Sequence, residues 1–284
     1  VTPTSLSTNE SGSAATFTVV LNTKPAANVT INISSSDLTE GTVSPASLLF
    51  TTSDWNSPKT VTVTPVNDDE DDGDITYTVV TSNAVSTDPV YNNLAVADVS
   101  VTNVDDDNAG FIVTPTSGLQ TTEAGGTATF TVRLTSRPTA NVTVNLSSSN
   151  TAEGTVSPAS VTFLPSNWNV AQTITVTGVN DDVDDDNVGY TIITSAASST
   201  DTNYNGLNPD DVSVTNIDDD VAGFTITPTL GLQTTEAGGT ATFTVRLNTK
   251  PTADVTITLT SSNPAETSTT PTTLTFSTSN CNSA

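Results

Sequence analysis

The chain has 284 residues, 31 of them acidic against six basic, with no histidine and a net charge of −25. That sign excludes nucleic acid and anionic membrane surfaces as partners and favours cations. Only 5 % of residues are aromatic, whereas Thr, Ser, Val, Asn and Asp abound, a helix-poor and β-branched composition with room for two or three domains.

No run approaches the ~20 apolar residues of a membrane span, and no charged-then-apolar signal segment opens the chain. The lack of Met predicts a mature segment or a piece of something longer. A single cysteine, Cys281, permits no intrachain disulfide, so stiffness has to come from elsewhere.

The sequence repeats. Phe-Ile-Val-Thr-Pro-Thr at 111–116 returns as Phe-Thr-Ile-Thr-Pro-Thr at 224–229, 113 positions on. Glu10, Glu123 and Glu236 keep this spacing, as do Glu40, Glu153 and Glu266, Trp55 and Trp168, and Asp105 and Asp218. The expected division is repeat one at 1–108, repeat two at 109–221 and the first half of a third repeat at 222–284. A period of this length is a whole domain rather than a solenoid rung, close to an immunoglobulin-like sandwich.

Within repeat two, alternation and turn residues predict strands near 111–116, 127–134, 141–147, 155–163, 172–179, 189–195 and 211–217. Phe130, Val132 and Leu134 share one face of the second, and Val142, Val144 and Leu146 one face of the third. Ile174, Val176, Tyr190, Ile192, Val212 and Val214 face the core from the later strands. Pro158 marks a break or an edge. Seven strands without a convincing helix predict an all-β sandwich, tandem and immunoglobulin-like, with the third copy incomplete.

Strand parity sorts the acids. In a seven-strand up-and-down path the first, third and fifth connections and the end of the last strand fall at one pole. In repeat two these hold Glu123, then Glu153, then Asp181, Asp182, Asp184, Asp185 and Asp186, then Asp218, Asp219 and Asp220. Repeat one agrees, with Glu10, then Asp37 and Glu40, then Asp68, Asp69, Glu70, Asp71, Asp72 and Asp74, then Asp105, Asp106 and Asp107. The opposite ends carry Arg137 and Trp168, with Asp201 and Asp210 the only acids there.

Two carboxylates ~5 Å apart repel by about 3 kcal/mol at an effective dielectric near 20. A pole of about ten could outweigh a domain's stability of ~5–15 kcal/mol. Either the loops splay or cations lie between them. Oxygen-only ligands point to Ca²⁺, several ions at the domain junctions, and away from zinc. The bland alternative is a solvated acidic surface. The third repeat favours it, since Glu236 and Glu266 remain there without either Asp-rich segment.

Asp-Asp-Asp-x-Ala-Gly-Phe, a Glu twelve residues after the Phe, and Thr-Ala-Thr-Phe-Thr-Val-Arg-Leu together resemble the Calx-β domain. Thr-Val-Thr-Val-x-x-Val-Asn-Asp-Asp at 60–69 and Thr-Ile-Thr-Val-x-x-Val-Asn-Asp-Asp at 173–182 extend the resemblance. It implies a seven-stranded sandwich binding several Ca²⁺ at the pole facing the next domain. The ligand positions it implies are Glu10, Glu40, Asp68, Asp69, Asp74 and Asp105–Asp107 in repeat one. In repeat two they are Glu123, Glu153, Asp181, Asp182, Asp186 and Asp218–Asp220, where Asn187 stands at the place of Asp74, so that one ligand is expected to be either weaker or replaced by Asp186. The Thr/Asn-rich, Lys-poor repeats look most like bacterial surface proteins of this family.

The tryptophans are expected to close the bottom of each core rather than stack on sugar. Asn9, Asn28, Asn32, Asn141 and Asn145 begin chance-frequency glycosylation sequons. Without His a nucleophile lacks its usual base, and acids that recur in every repeat fit structure better than one active site, so no enzyme is expected. The leading expectation is an extracellular adhesin stalk or surface filament stiffened by calcium. The alternative is a self-assembling subunit whose incomplete third repeat takes a strand from a neighbouring chain. A third, less favoured, is a calcium sensor or carbohydrate-binding module.

Overall fold

The computed structural model describes residues 1–280; Cys281, expected either to make an interchain disulfide or to be a small residue where the other repeats have Trp, lies outside them. Repeat one forms β1 (Ser5–Asn9), β2 (Ala15–Val19), β3 (Val29–Ser35), β4 (Gly41–Ser44), β5 (Ser47–Phe50), β6 (Lys59–Pro65), β7 (Ile75–Thr81), β8 (Val85–Ser86) and β9 (Val99–Val104). Repeat two forms β10 (Phe111–Thr114), β11 (Leu119–Thr122), β12 (Thr127–Leu134), β13 (Val142–Ser148), β14 (Gly154–Ser157), β15 (Ser160–Phe163), β16 (Gln172–Gly178), β17 (Val188–Thr194) and β18 (Val212–Ile217). The third repeat has β19 (Phe224–Thr227), β20 (Thr244–Leu247), β21 (Val255–Thr258) and β22 (Thr273–Phe276). The described residues contain no helix, and none is therefore long and apolar enough to cross a membrane.

In repeat two the strands lie in two sheets ordered β10-β12-β16-β14 and β11-β18-β17-β13-β15. The expected first strand is thus two strands. β10 runs antiparallel to β12 in one sheet, and β11 crosses over to run parallel to β18 in the other. The expected fourth strand divides likewise around Pro158, β14 pairing with β16 and β15 with β13. Proline has no N–H to offer a ladder, and a change of sheet needs such a gap. Repeat one repeats the plan, with β2-β6-β4 facing β1-β9-β7-β3-β5 and β8 added beside β3.

The inward residues read from alternation are the buried ones. Phe130, Val132, Leu134, Val142, Val144, Ile174, Val176, Tyr190, Ile192 and Val212 are all buried. Repeats one and two each enclose their own core, with Trp55 and Trp168 packed partly exposed against it. Burial of this apolar surface is the main force holding each sandwich. Gly154 has a steric role at one edge: a Cβ there would meet the Tyr190 hydroxyl, and Gly41 stands in the same relation to Tyr77. Among its described residues the third repeat buries just three apolar side chains, Val245, Leu247 and Phe276, while Phe224, Ile226, Leu230 and Leu232 are exposed.

Candidate metal centre at the acidic pole

Each ligand candidate lies where a strand ends. β1 delivers Glu10, whose N–H donates to the Val104 carbonyl at 3.1 Å, so the parallel β1–β9 pair brings Glu10 beside the Asp105 segment. In repeat two the Glu123 N–H donates to Ile217 O at 3.1 Å in the same way. The first-to-last-strand pairing, invisible in either local sequence, is what closes the pole.

The triple aspartates hold their shape through backbone bonds. Asp105 accepts from the Gly73 N–H (2.8 Å) and from the Asp107 N–H (2.8 Å), while its own N–H donates to Asp74 Oδ1 (3.2 Å). Asp218 accepts from the N–H groups of Asp185 (3.2 Å), Asp186 (3.0 Å) and Asp220 (2.8 Å), and donates to Asn187 Oδ1 (3.1 Å). Asn187 therefore does the work of Asp74 as a backbone cap, for which an amide oxygen suffices. Asp186 has a positive φ of 67° where repeat one has Gly73 at 77°, and it serves through its N–H.

Three groups of carboxylates converge, each offering oxygens within 4.8 Å of one another: Glu10, Asp105 and Asp107; Glu123, Asp218 and Asp220; and Glu153, Asp181 and Asp185. Asp185 was absent from the expected ligands, and Asp186, its neighbour, is not in the group. Glu40 is buried and lies in the field of Asp72, Asp37 and Asp68. Asp69 and Asp182 point their backbone carbonyls outward, to Arg137 N–H (2.5 Å) and Lys250 N–H (2.6 Å). Asp106 accepts from the Ser11 hydroxyl, and the Asp219 backbone lies close enough to the Glu123 carboxyl to favour its charged form.

These acids are electrostatically strained. Burial, then the charge of Asp68, pushes the Glu10 carboxyl up to about 7, with Asp105 and Asp72 adding to it. Burial, then Asp181 and Asp218, pushes Glu123 up to about 7. Asp107 rises to about 6 through burial and then Asp105 and Asp106, and Asp72, Asp185 and Asp220 are raised by the same causes. Glu10 Oε2 and Glu123 Oε2 are buried without any hydrogen-bond partner. A buried carboxylate oxygen with nothing to accept from costs several kilocalories unless a cation meets it. An all-oxygen donor set of this kind fits a hard divalent ion such as Ca²⁺.

Sequence reading missed one pair of residues. Asn216 is buried in β18; its Oδ1 accepts from the Thr121 hydroxyl (2.9 Å) and its Nδ2 donates to Val179 O (3.0 Å) and Glu153 Oε2 (3.4 Å). Asn103 does the same with Thr8, Val66 and Glu40 in repeat one. The signal was present, as Val-Thr-Asn set one apolar residue ahead of each triple Asp.

The pole of repeat one meets the base of repeat two. Arg137 Nη2 lies 3.1 Å from Glu70 Oε1, the Ala109 N–H donates to Asp71 Oδ2 (2.8 Å), and Asn203 Nδ2 donates to the Asp71 carbonyl.

The family model for the Calx-beta domain matches residues 1–108 and 105–221. No curated protein sequence matches the chain. Among solved structures, CBD12 from CALX1.2 is 15 % identical, covering 75 % of this chain and 96 % of that one with a TM-score of 0.36. CBD12 of CALX1.1, titled a calcium-binding domain, is 16 % identical over 73 % of this chain and 80 % of that one, TM-score 0.34. Domains 4 and 5 of the S-layer protein SbsC are 17 % identical over 66 % and 76 %, TM-score 0.30.

Proposed function

The chain belongs to the Calx-β domain family, and from that premise we propose that it is a calcium-stiffened segment of an extracellular, repetitive surface protein. The reading takes residues 1–108, 109–221 and 222–284 as successive repeats. Ca²⁺ would be held in repeat one by Glu10, Asp105 and Asp107 with Glu40 and Asp68. In repeat two it would be held by Glu123, Asp218 and Asp220, with Glu153, Asp181 and Asp185. The observation that carries it is Glu123: a carboxylate 3 % exposed, its Oε2 unpartnered, facing two aspartates from the far end of the repeat.

When bound, calcium supplies the positive charge that these oxygens lack. Everything else is done by the chain. Asn216 orients Glu153, the β11–β18 pair fixes Glu123 against Asp218, and the acidic loop presents Asp69 and Asp71 to the next repeat. Ordering that loop therefore orders the joint. A protein built this way is a rod whose joints stiffen in millimolar calcium. A Lys-poor composition with one cysteine, and so no intrachain disulfide, suits such a stalk outside the cell.

Isothermal titration of the chelated chain with CaCl₂ tests this, followed by small-angle scattering with and without EDTA. Heat of binding and a longer, narrower distance distribution with calcium are expected; an unchanged profile and no binding would sink the reading.

Strand completion between copies is a second reading, favoured by the exposed Phe224, Ile226 and Leu230 of the third repeat. It requires oligomers that grow with concentration and vanish on Ile226→Asp.

A further inference from the structure

Thr121 and Asn216 are each 1 % exposed and stand 95 residues apart, on the parallel strands β11 and β18. The Thr121 hydroxyl donates to Asn216 Oδ1 at 2.9 Å. Asn216 Cγ lies one carbonyl bond of ~1.2 Å beyond that oxygen, so Thr121 Oγ is within about 4 Å of it. Reacting atoms in a productive arrangement are ~3–3.5 Å apart, and contacts in a resting site are commonly longer. A rotation of the amide about its Cβ–Cγ bond closes the difference.

The groups around this pair are those that an acyl transfer uses. A threonine hydroxyl is a weak nucleophile until a neighbouring group takes its proton. Tyr190 Oη is 3.2 Å from Thr121 Oγ. Glu153 Oε2 is 3.4 Å from Asn216 Nδ2, and the Val179 carbonyl holds the same nitrogen at 3.0 Å. Glu153 and Tyr190 are themselves buried. Water is thereby kept from the amide, and its hydrolysis does not compete.

Repeat one builds the site again. Thr8 donates to Asn103 Oδ1 at 2.9 Å across the same 95 residues, and Asn103 Nδ2 donates to Glu40 Oε2 at 3.3 Å. Tyr77, at the place of Tyr190, is buried with its hydroxyl unpartnered. In both repeats the backbone ladder already joins the two strands, so a side-chain hydrogen bond adds little that requires a carboxylate and a phenol beside it.

We propose that each complete repeat closes itself with a covalent ester between its first and last long-range partners, Thr121 to Asn216 and Thr8 to Asn103. Oγ attacks Cγ: the Oγ–Cγ bond forms and the Cγ–Nδ2 bond breaks. The hydroxyl proton ends on Nδ2, with the Glu153 or Glu40 carboxylate as its carrier, and the nitrogen leaves as ammonia. No oxidant, reductant or cofactor takes part. The hydrogen-bonded pair is the form that precedes the step. In a chain with one cysteine, the ester does the work of an intrachain disulfide. It is independent of the calcium reading.

Intact-mass spectrometry of the full chain, followed for days after purification, tests this. The chain should come to weigh less than its sequence by two molecules of ammonia. Proteolysis should release Thr121 and Asn216 in one branched peptide, which hydroxylamine splits. Thr121→Val should halve the loss, Thr8→Val with Thr121→Val should abolish it, and Thr121→Ser, which keeps the hydroxyl, should retain it. Full mass throughout overturns the proposal. So does a loss that survives both valines, which would be an asparagine closing on its own backbone. The unsubstituted and serine chains decide the matter even where a valine variant fails to fold. Neither outcome bears on calcium binding, which is read by titration.

Discussion

Arg137 and Glu70 face each other across the first joint, guanidinium to carboxylate at 3.1 Å, the one ion pair among the described residues that links two repeats. At the second joint Lys250 takes the place of Arg137, but Val183 takes that of Glu70. Both partners at the first joint are partly exposed, 40 % and 29 % by side chain, so the pair is worth ~0.2–1 kcal/mol at most. Glu70→Val should widen the inter-repeat distance distribution seen by paired dyes while moving the melting temperature by no more than a few degrees. A distribution identical to that of the unsubstituted chain would assign the joint's order to the backbone contacts alone.

Calcium removal should destabilise the repeats by mass action. An ion at 100 times its Kd contributes about 2.7 kcal/mol per site. Asp218→Asn with Asp220→Asn keeps the turn geometry but removes two charges facing Glu123. This variant should stay folded, melt in calcium as the parent melts in EDTA for repeat two, and leave the response of repeat one intact. Calorimetric scans with and without calcium read both transitions.

Acid should act in opposite senses on the two forms. The carboxyls of Glu10, Glu123 and Asp107 are raised to about 7, 7 and 6 from their ordinary values of 4.5, 4.5 and 3.8. A raised carboxyl contributes stability that is fully present below its unfolded value and lost as pH rises through its folded one. In EDTA these groups should therefore make melting temperature fall from about pH 4.5 to pH 7. In saturating calcium, protons compete for the same oxygens, so affinity should weaken as pH falls through that window. The same slope in both conditions would exclude these residues as ligands.

Asn216 offers a sharper structural test. Asn216→Ala leaves the Thr121 hydroxyl with Tyr190 alone as partner and removes the amide from the Glu153 carboxylate, a loss of ~1–3 kcal/mol by the usual cost of weakened buried hydrogen bonds. Asn216→Asp should be worse at pH 8 than at pH 5, because it sets a second carboxylate against Glu153. Denaturant titration at the two pH values separates them.

Much of this was legible in the sequence because its cause is local. Alternation in Thr-Phe-Thr-Val-Arg-Leu can be satisfied only by a half-buried strand, and parity then carries Glu123 and Asp218 to one end. What could not be read depends on partners far along the chain. Leu119–Thr122 holds a single apolar residue and becomes a strand only because β18 lies beside it. The exchange of Asp185 for Asp186 among the converging acids turns on one left-handed residue, which swings a loop that the string of aspartates leaves undetermined. Asn216 reads as one more polar strand residue until Thr121 and Glu153 close around it.

The parallel pairing of the first and last strands also decides how a repeat answers tension. A pull along the array draws β11 toward the preceding repeat and β18 toward the following one, in opposite directions along shared hydrogen bonds. The registers Leu119↔Val214 through Thr122↔Ile217, and Ser5↔Ser100 through Asn9↔Val104, are then loaded together in shear rather than peeled singly. The patch that must slide before a repeat extends is the one that ends in Glu123 and Asp218, so a cation held by those carboxylates would also clamp its mechanical strength.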